Sequence, residues 1–241
     1  MRVFVPHVSV LKRVLDWNQW KLRKSQPFDP QYYRNFSLKK TVDFALILIG
    51  AHDGKKTEHF VKKASEYGKV CLVEPVPHLF SELKKRHGKS KQVTLINKCV
   101  TSDQAGMIQF YAPKPQANSI QANADQLGSL NERHAINHNE ELKEVIEKIQ
   151  VQSIPITQLI EDLRCNALNL LFIDTEGYDV ELLRLFPFKV VKPSAILFEH
   201  KHSDGTHNIG EKFASTIVML NNLGYQVQCI DRENCLATLR N

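Results

Sequence analysis

Five short, almost unbroken apolar runs constrain this chain more than any other feature. They are Phe44–Ile49, Val70–Val73, Val93–Ile96, Leu168–Ile173 and Ala195–Phe198. Each is too short for a core helix and too continuous for a strand with one wet face, which is how a strand covered on both faces reads. The stretches between them carry helical spacing. Phe60, Val61, Ala64 and Tyr67 share one face of a helix over about 55–67, ended by Gly68. Leu79, Phe80 and Leu83 do the same over 77–87, where Pro77 suits a first turn. Further helices are expected over 155–163, 178–186 and 210–223. Repeated β-α units of this kind build an open, mostly parallel, doubly wound sheet with helices on both faces. The last two strands, 225–230 and 236–239, are separated only by Asp231–Asn234. That gap fits a hairpin, so the final strand is expected to be antiparallel to its neighbour.

Two regions fall outside the alternation. Residues 1–40 hold nine Lys or Arg against Asp16 and Asp29, so this arm carries +7 and the rest of the 241-residue chain −1. Val10, Leu11, Val14, Leu15 and Trp17 suit a short amphipathic helix within it, and Pro27 and Pro30 then break the chain. The arm reads as a solvated basic appendage, dispensable for folding. Weak contact with an anionic membrane is the lesser reading, and no nucleic-acid motif accompanies the charge. The main domain is expected over 41–241. Inside it, strands over 107–111 and 149–154 flank residues 112–148, a polar stretch rich in Asn and Gln. That is long for a loop in a compact domain, so it is expected to be functional or mobile, on the side of an acceptor substrate.

A content of 42% hydrophobic and 24% charged residues excludes general disorder, and no apolar run approaches the roughly 18 residues a membrane span needs. The five cysteines are odd in number and lack CxxC spacing, which suggests neither a zinc site nor a disulfide framework. This usage, and the absence of a secretory leader pattern in residues 1–10, point to a reducing, cytoplasmic setting.

In doubly wound sheets the ligand lies beyond the carboxyl ends of the strands, where strand order reverses. The residues just after the strands are therefore the candidates. Gly50-Ala-His-Asp-Gly54 follows the first strand, and its glycines let backbone approach a ligand at a helix amino end. Glu74 follows the second strand and suits a bidentate grip on ribose hydroxyls. Asp174-Thr-Glu-Gly177 follows the strand over 168–173, and Glu199-His-Lys-His202 the strand over 195–198. The glycine spacing is wider than the GxGxxG of dinucleotide folds, which favours S-adenosylmethionine over NAD. Each feature also has a plainer reading: glycines make turns, and Asp174 can cap a helix. A metal held by Asp174, Glu176 and a histidine of 199–202 is the lesser reading of those residues, and none is expected.

Taken together, Ile49-Gly-Ala-His-Asp-Gly54, Val73-Glu-Pro-Val-Pro77, Leu95-Ile-Asn97 with Ser102-Asp103 and Gly106, Phe172-Ile-Asp-Thr-Glu-Gly-Tyr-Asp179 and Leu197-Phe-Glu-His-Lys-His202 resemble the motifs of FkbM-type S-adenosylmethionine-dependent methyltransferases. The likeness runs from about Asp43 to Leu239, and Gly128-Ser-Leu130 resembles a further short motif. It implies a Rossmann-like class I methyltransferase fold and methyl transfer to a hydroxyl of a sugar, glycan or small natural product. It also implies a cofactor site built from Gly50, His52, Asp53, Gly54, Glu74, Asp103 and Asp174. Two positions depart from the family pattern: Leu48 stands where many members have an acid, and His52 where an Asn is common.

An alcohol becomes a good nucleophile only when a base accepts its proton, and most acceleration of an in-line transfer comes from positioning. Asp174, Glu176 and His200 are the candidate catalytic residues, with Glu176 first. The competing readings are a non-catalytic scaffold of the same fold, suggested by Leu48 and His52, and a nucleotide-sugar or NAD-dependent enzyme.

Overall fold

A computed structural model describes residues 43–240. The expectations for the basic arm lie outside them. A seven-stranded sheet runs in the order β3-β2-β1-β7-β8-β10-β9. Its strands are β1 (Phe44–Ile49), β2 (Lys69–Val73), β3 (Val93–Ile96), β7 (Leu168–Ile173), β8 (Ala195–Glu199), β9 (Tyr225–Cys229) and β10 (Asn234–Leu239). β1 is parallel to both β2 and β7, while β10 sits between β8 and β9 and is antiparallel to each. The mostly parallel sheet and its antiparallel final strand agree with the sequence reading.

All six residues of β1 are buried, as a two-sided strand requires. Ile47 and Ile49 face one core with Leu159 and Ile160 of α4 (Ile156–Asp162), Leu182 and Leu183 of α5 (Asp179–Leu185), and Phe213, Ile217 and Leu220 of α6 (Glu211–Asn222). Leu46 and Leu48 face the other, with Phe60, Val61 and Ala64 of α1 (Glu58–Ala64) and Leu83 of α2 (Pro77–His87). Leu48 thus belongs to the core under α1 and α2. No helix among the described residues is long and apolar enough to cross a membrane.

The order of strands places the reversal between β1 and β7. The chain moves outward from β1 through β2 to β3, then returns to pair β7 on the other side of β1. A second sheet, β4-β6-β5, stands apart from the first; it contains β4 (Cys99–Thr101), β5 (Gly106–Pro113) and β6 (Ile146–Pro155). β4 is parallel to β6, and β5 pairs β6 antiparallel from Gly106↔Ser153 to Pro113↔Ile146. The polar stretch closes this hairpin. It folds into 3-10 turns and one short helix, α3 (Arg133–His138), around Ala117, Ala124, Leu127, Ala135 and Leu142. Three of those five are alanines, too small to mark a hydrophobic period in a polar sequence.

Candidate functional site

The site begins where β1 and β7 end side by side. Ile49 is in register with Ile173, and the Asp174 N–H donates to the Ile49 carbonyl at 2.9 Å. A side chain on Gly50 would put its Cβ 1.8 Å from the Asp174 carbonyl oxygen, and Gly50 has φ +85°. Only glycine fits that close approach and that left-handed conformation. The N–H groups of Gly50 and Ala51 both donate to the Val73 carbonyl, which ties the end of β2 to the same point. A cleft of about 970 Å³, counted to its open mouth, lies over these joined strand ends. Gly50, His52, Asp53, Gly54, Glu74, Asp174 and Glu176 all line it. Its apolar wall includes Val76, Leu79, Val100 and Phe110.

Glu74 is buried, and each carboxylate oxygen accepts a backbone N–H: Oε2 from His52 and Oε1 from Val76, both at 2.8 Å. Burial raises its pKa, and these donors oppose the rise. A carboxylate has about four acceptor positions, so two remain for hydroxyl donors. Asn97 anchors the same turn by donating Nδ2 to the Glu74 and Pro75 carbonyls. His52 has φ +52°, in the left-handed region that histidine tolerates better than most residues. Its ring reaches Asp53 Oδ1 and the Asp125 carbonyl, each at 3.3 Å, and so links the glycine turn to the polar stretch.

On the other side of the cleft stand Asp174 and Glu176. Burial, and then the neighbouring Glu176 charge, push the Asp174 carboxyl well above its usual range. Burial likewise pushes Glu176 up to about 7. Glu176 has φ +52°, an uncommon conformation for an acidic side chain and one that persists only where surroundings enforce it. The enforcing contacts come from the polar stretch. Ser129 Oγ donates to the Glu176 carbonyl at 3.2 Å, and His134 Nε2 lies 3.0 Å from Glu176 Oε2. His138 and His202 pack their rings against His134 at 4.9 and 4.7 Å. Burial lowers the pKa of His134 and His138 to about 4 and that of His202 to about 2, so all three are neutral imidazoles near pH 7. Asp179 serves the frame: it accepts from Thr175 N–H and Oγ1 with one oxygen and from the Glu199 N–H with the other. This ties the β7 turn to the end of β8.

Two expected residues stand elsewhere. Asp103 is exposed on the turn after β4, in contact with the Ser102 hydroxyl at 3.0 Å, and does not line the cleft. β4 pairs with β6 in the second sheet, and in the turn after it Ser102, not Asp103, reaches the cleft wall, its hydroxyl 2.8 Å from that of Tyr178. His200 does not line the cleft either. It is fully buried behind the end of β8, stacked on Phe213 of α6. The turn after Glu199 brings His202 to the acidic side instead, with Nε2 at 3.9 Å from Glu176 Oε2. Sequence reasoning missed His134 and His138. Their spacing of four on a helix was the available signal, hidden because the stretch lacks an apolar period.

Residues 49–227 match the family model described as the methyltransferase FkbM domain. None of the curated proteins matches the sequence. Among solved structures, a "putative caffeoyl-CoA O-methyltransferase" from Staphylococcus aureus is similar with a TM-score of 0.50 at 12% identity, over 98% of this chain and 93% of its own. A SAM-dependent methyltransferase from Aquifex aeolicus is similar at a TM-score of 0.42 and 14% identity, over 98% and 97% of the two chains. Precorrin-6y C5,15-methyltransferase from Geobacter metallireducens is similar at 0.45 and 14%, over 90% of each.

Proposed function

Because this chain belongs to the FkbM methyltransferase family, whose methyl donor is S-adenosyl-L-methionine, we propose that it methylates a hydroxyl oxygen of a sugar, glycan or small natural product. The observation that carries this reading is the convergence in one cleft of a backbone-close glycine turn, Glu74 and the Asp174–Glu176 pair. The residues present fit the donor: the Gly50–Gly54 turn lines the cleft, and Glu74 keeps two acceptor positions for ribose hydroxyls. Gly50 to Gly54, Glu74 and Asp174 would hold it, with Val76 and Leu79 as apolar wall. When bound, the donor supplies a methyl group activated by a sulfonium.

The chain's own residues do the rest. Asp174 braces the donor side, and Glu176, two residues further, faces the acceptor. Glu176 turns Oε2 toward His134, which leaves its other carboxylate oxygen to take the proton of the acceptor hydroxyl. The polar stretch lines the same cleft through Asp125, Gln126, Gly128 and Leu130, which suits it to select the acceptor. Asp103 and His200 have no part in this scheme.

The test is a screen of hydroxylated acceptors with isotopically labelled S-adenosylmethionine, with the linkage of each product read by NMR. An O-methyl product is expected. Glu176→Gln should lower the single-turnover rate by about 10²–10⁴ with donor affinity unchanged. Methyl groups found only on nitrogen, carbon or sulfur, or unimpaired turnover in Glu176→Gln, would overturn the reading.

A further inference from the structure

The cluster beside Glu176 has a chemistry that methyl transfer to a hydroxyl does not by itself require. His134 and His138 are four residues apart on α3, which sets both rings on one face of the helix. Ligating atoms of these two, of Glu176 and of His202 all lie within 4.8 Å of one another. The groups come from three separate parts of the chain, so chance adjacency along one element does not explain their meeting.

Two ring nitrogens of the cluster are left without a hydrogen bond. His138 Nε2 is buried and has no hydrogen-bond partner. His134 Nδ1 lies 3.5 Å from the Thr206 hydroxyl, and its Nε2 faces Glu176. His202 accepts the His207 backbone N–H on Nδ1 at 2.8 Å, so its ring proton sits on Nε2. That Nε2 is buried, 3.9 Å from Glu176 Oε2 and 3.7 Å from Glu199 Oε1, and makes no hydrogen bond. Buried polar atoms are rarely left so, because each costs its full desolvation.

We propose that His134 Nε2, His138 Nε2 and Glu176 Oε2 bind one divalent transition-metal ion of the zinc or cobalt class. Two imidazoles and a carboxylate are a ligand set typical of such ions at sites that keep an open position. His202 is not a ligand. Its Nε2–H faces the Glu176 and Glu199 carboxylates from 3.9 and 3.7 Å, the position from which an outer donor supports a metal-bound carboxylate. Glu176 lines the cleft, so the open position faces the acceptor side. Coordination there fixes the acceptor oxygen and eases loss of its proton to the free Glu176 oxygen. This last step rests on the proposed methyl transfer to oxygen; the ion itself does not. The site departs from the sequence expectation of no metal, because two of its ligands lie on a helix that the sequence reading did not anticipate.

The experiment uses the full chain, with any affinity tag removed. After chelator treatment and dialysis, Zn²⁺ uptake is titrated by calorimetry and Co²⁺ uptake followed by its visible absorption, without donor or acceptor. One equivalent is expected. His138→Ala should weaken binding by roughly a hundredfold, and His202→Phe by about 10–100-fold, with circular dichroism confirming that each variant is folded. No saturable uptake by the parent, or equal uptake by folded His138→Ala, would overturn the proposal; the parent titration decides the matter if that variant does not fold. A metal-binding protein that methylates no hydroxyl would sink the proposed function and leave the ion site standing.

Discussion

Removing the Glu74 carboxylate tests the donor side most directly, because the structure gives that group two separable tasks. In Glu74→Ala the His52 and Val76 N–H groups, each now bonded at 2.8 Å, lose their acceptor in a buried setting. A buried donor left unsatisfied costs about 1–3 kcal/mol. With water entering the vacated space, about 2–4 kcal/mol of stability is expected to go. For a domain of this size that is a fall in Tm of roughly 4–16 °C. The second task is the ribose. Losing hydrogen bonds to a charged acceptor costs about 1.5–3 kcal/mol, which is roughly 10–150-fold in donor affinity. Differential scanning fluorimetry reads the first number and calorimetric titration with S-adenosylmethionine the second. A lowered Tm with unchanged affinity would confine Glu74 to bracing the turn and refute the ribose placement. An unchanged Tm would refute the hydrogen-bonding account itself.

Gly50→Ala should leave little folded protein, since its Cβ would meet the Asp174 carbonyl at 1.8 Å in a backbone held at φ +85°; a parent-like melting curve would contradict the close approach of β1 and β7. Asp103→Ala should change donor affinity less than twofold by calorimetry, because Asp103 stands exposed outside the cleft. His87 is buried with its pKa lowered by that burial, so the unfolded chain takes its proton more readily than the folded one. Its contribution to stability is present above the ordinary histidine value of about 6.5 and is lost as pH falls through the lower folded value. Scanning fluorimetry between pH 7.5 and 5 should show a shallower fall in Tm for His87→Leu than for the parent, and identical slopes would refute the assignment.

Much of this arrangement was legible along the chain. β1 and β7 begin and end where the apolar runs do, because a strand covered on both faces must be apolar throughout, whereas the run at β3 forms a half-buried edge strand. The glycine turn, Glu74 and the Asp174–Glu176 turn were legible for a related reason: a doubly wound sheet puts ligands at its strand ends, so residues at those positions identify themselves. What the linear pattern could not carry was set by pairing between distant segments. β4 is three residues long and exists because Cys99–Thr101 meets Ser153–Pro155, a pairing between segments about fifty residues apart. The polar stretch is ordered by alanine-sized contacts, which leave no periodic mark, and so α3 and its two histidines went unseen. Alternation along β8 stops at Glu199, beyond which the path of the turn decides that His202 meets Glu176 while His200 packs on Phe213. Local sequence determined which segments must be buried and which residues stand at their ends, because burial acts residue by residue. Which of those ends meet, and which histidine faces which carboxylate, depended on register and turn geometry, and those are properties of two or more segments at once.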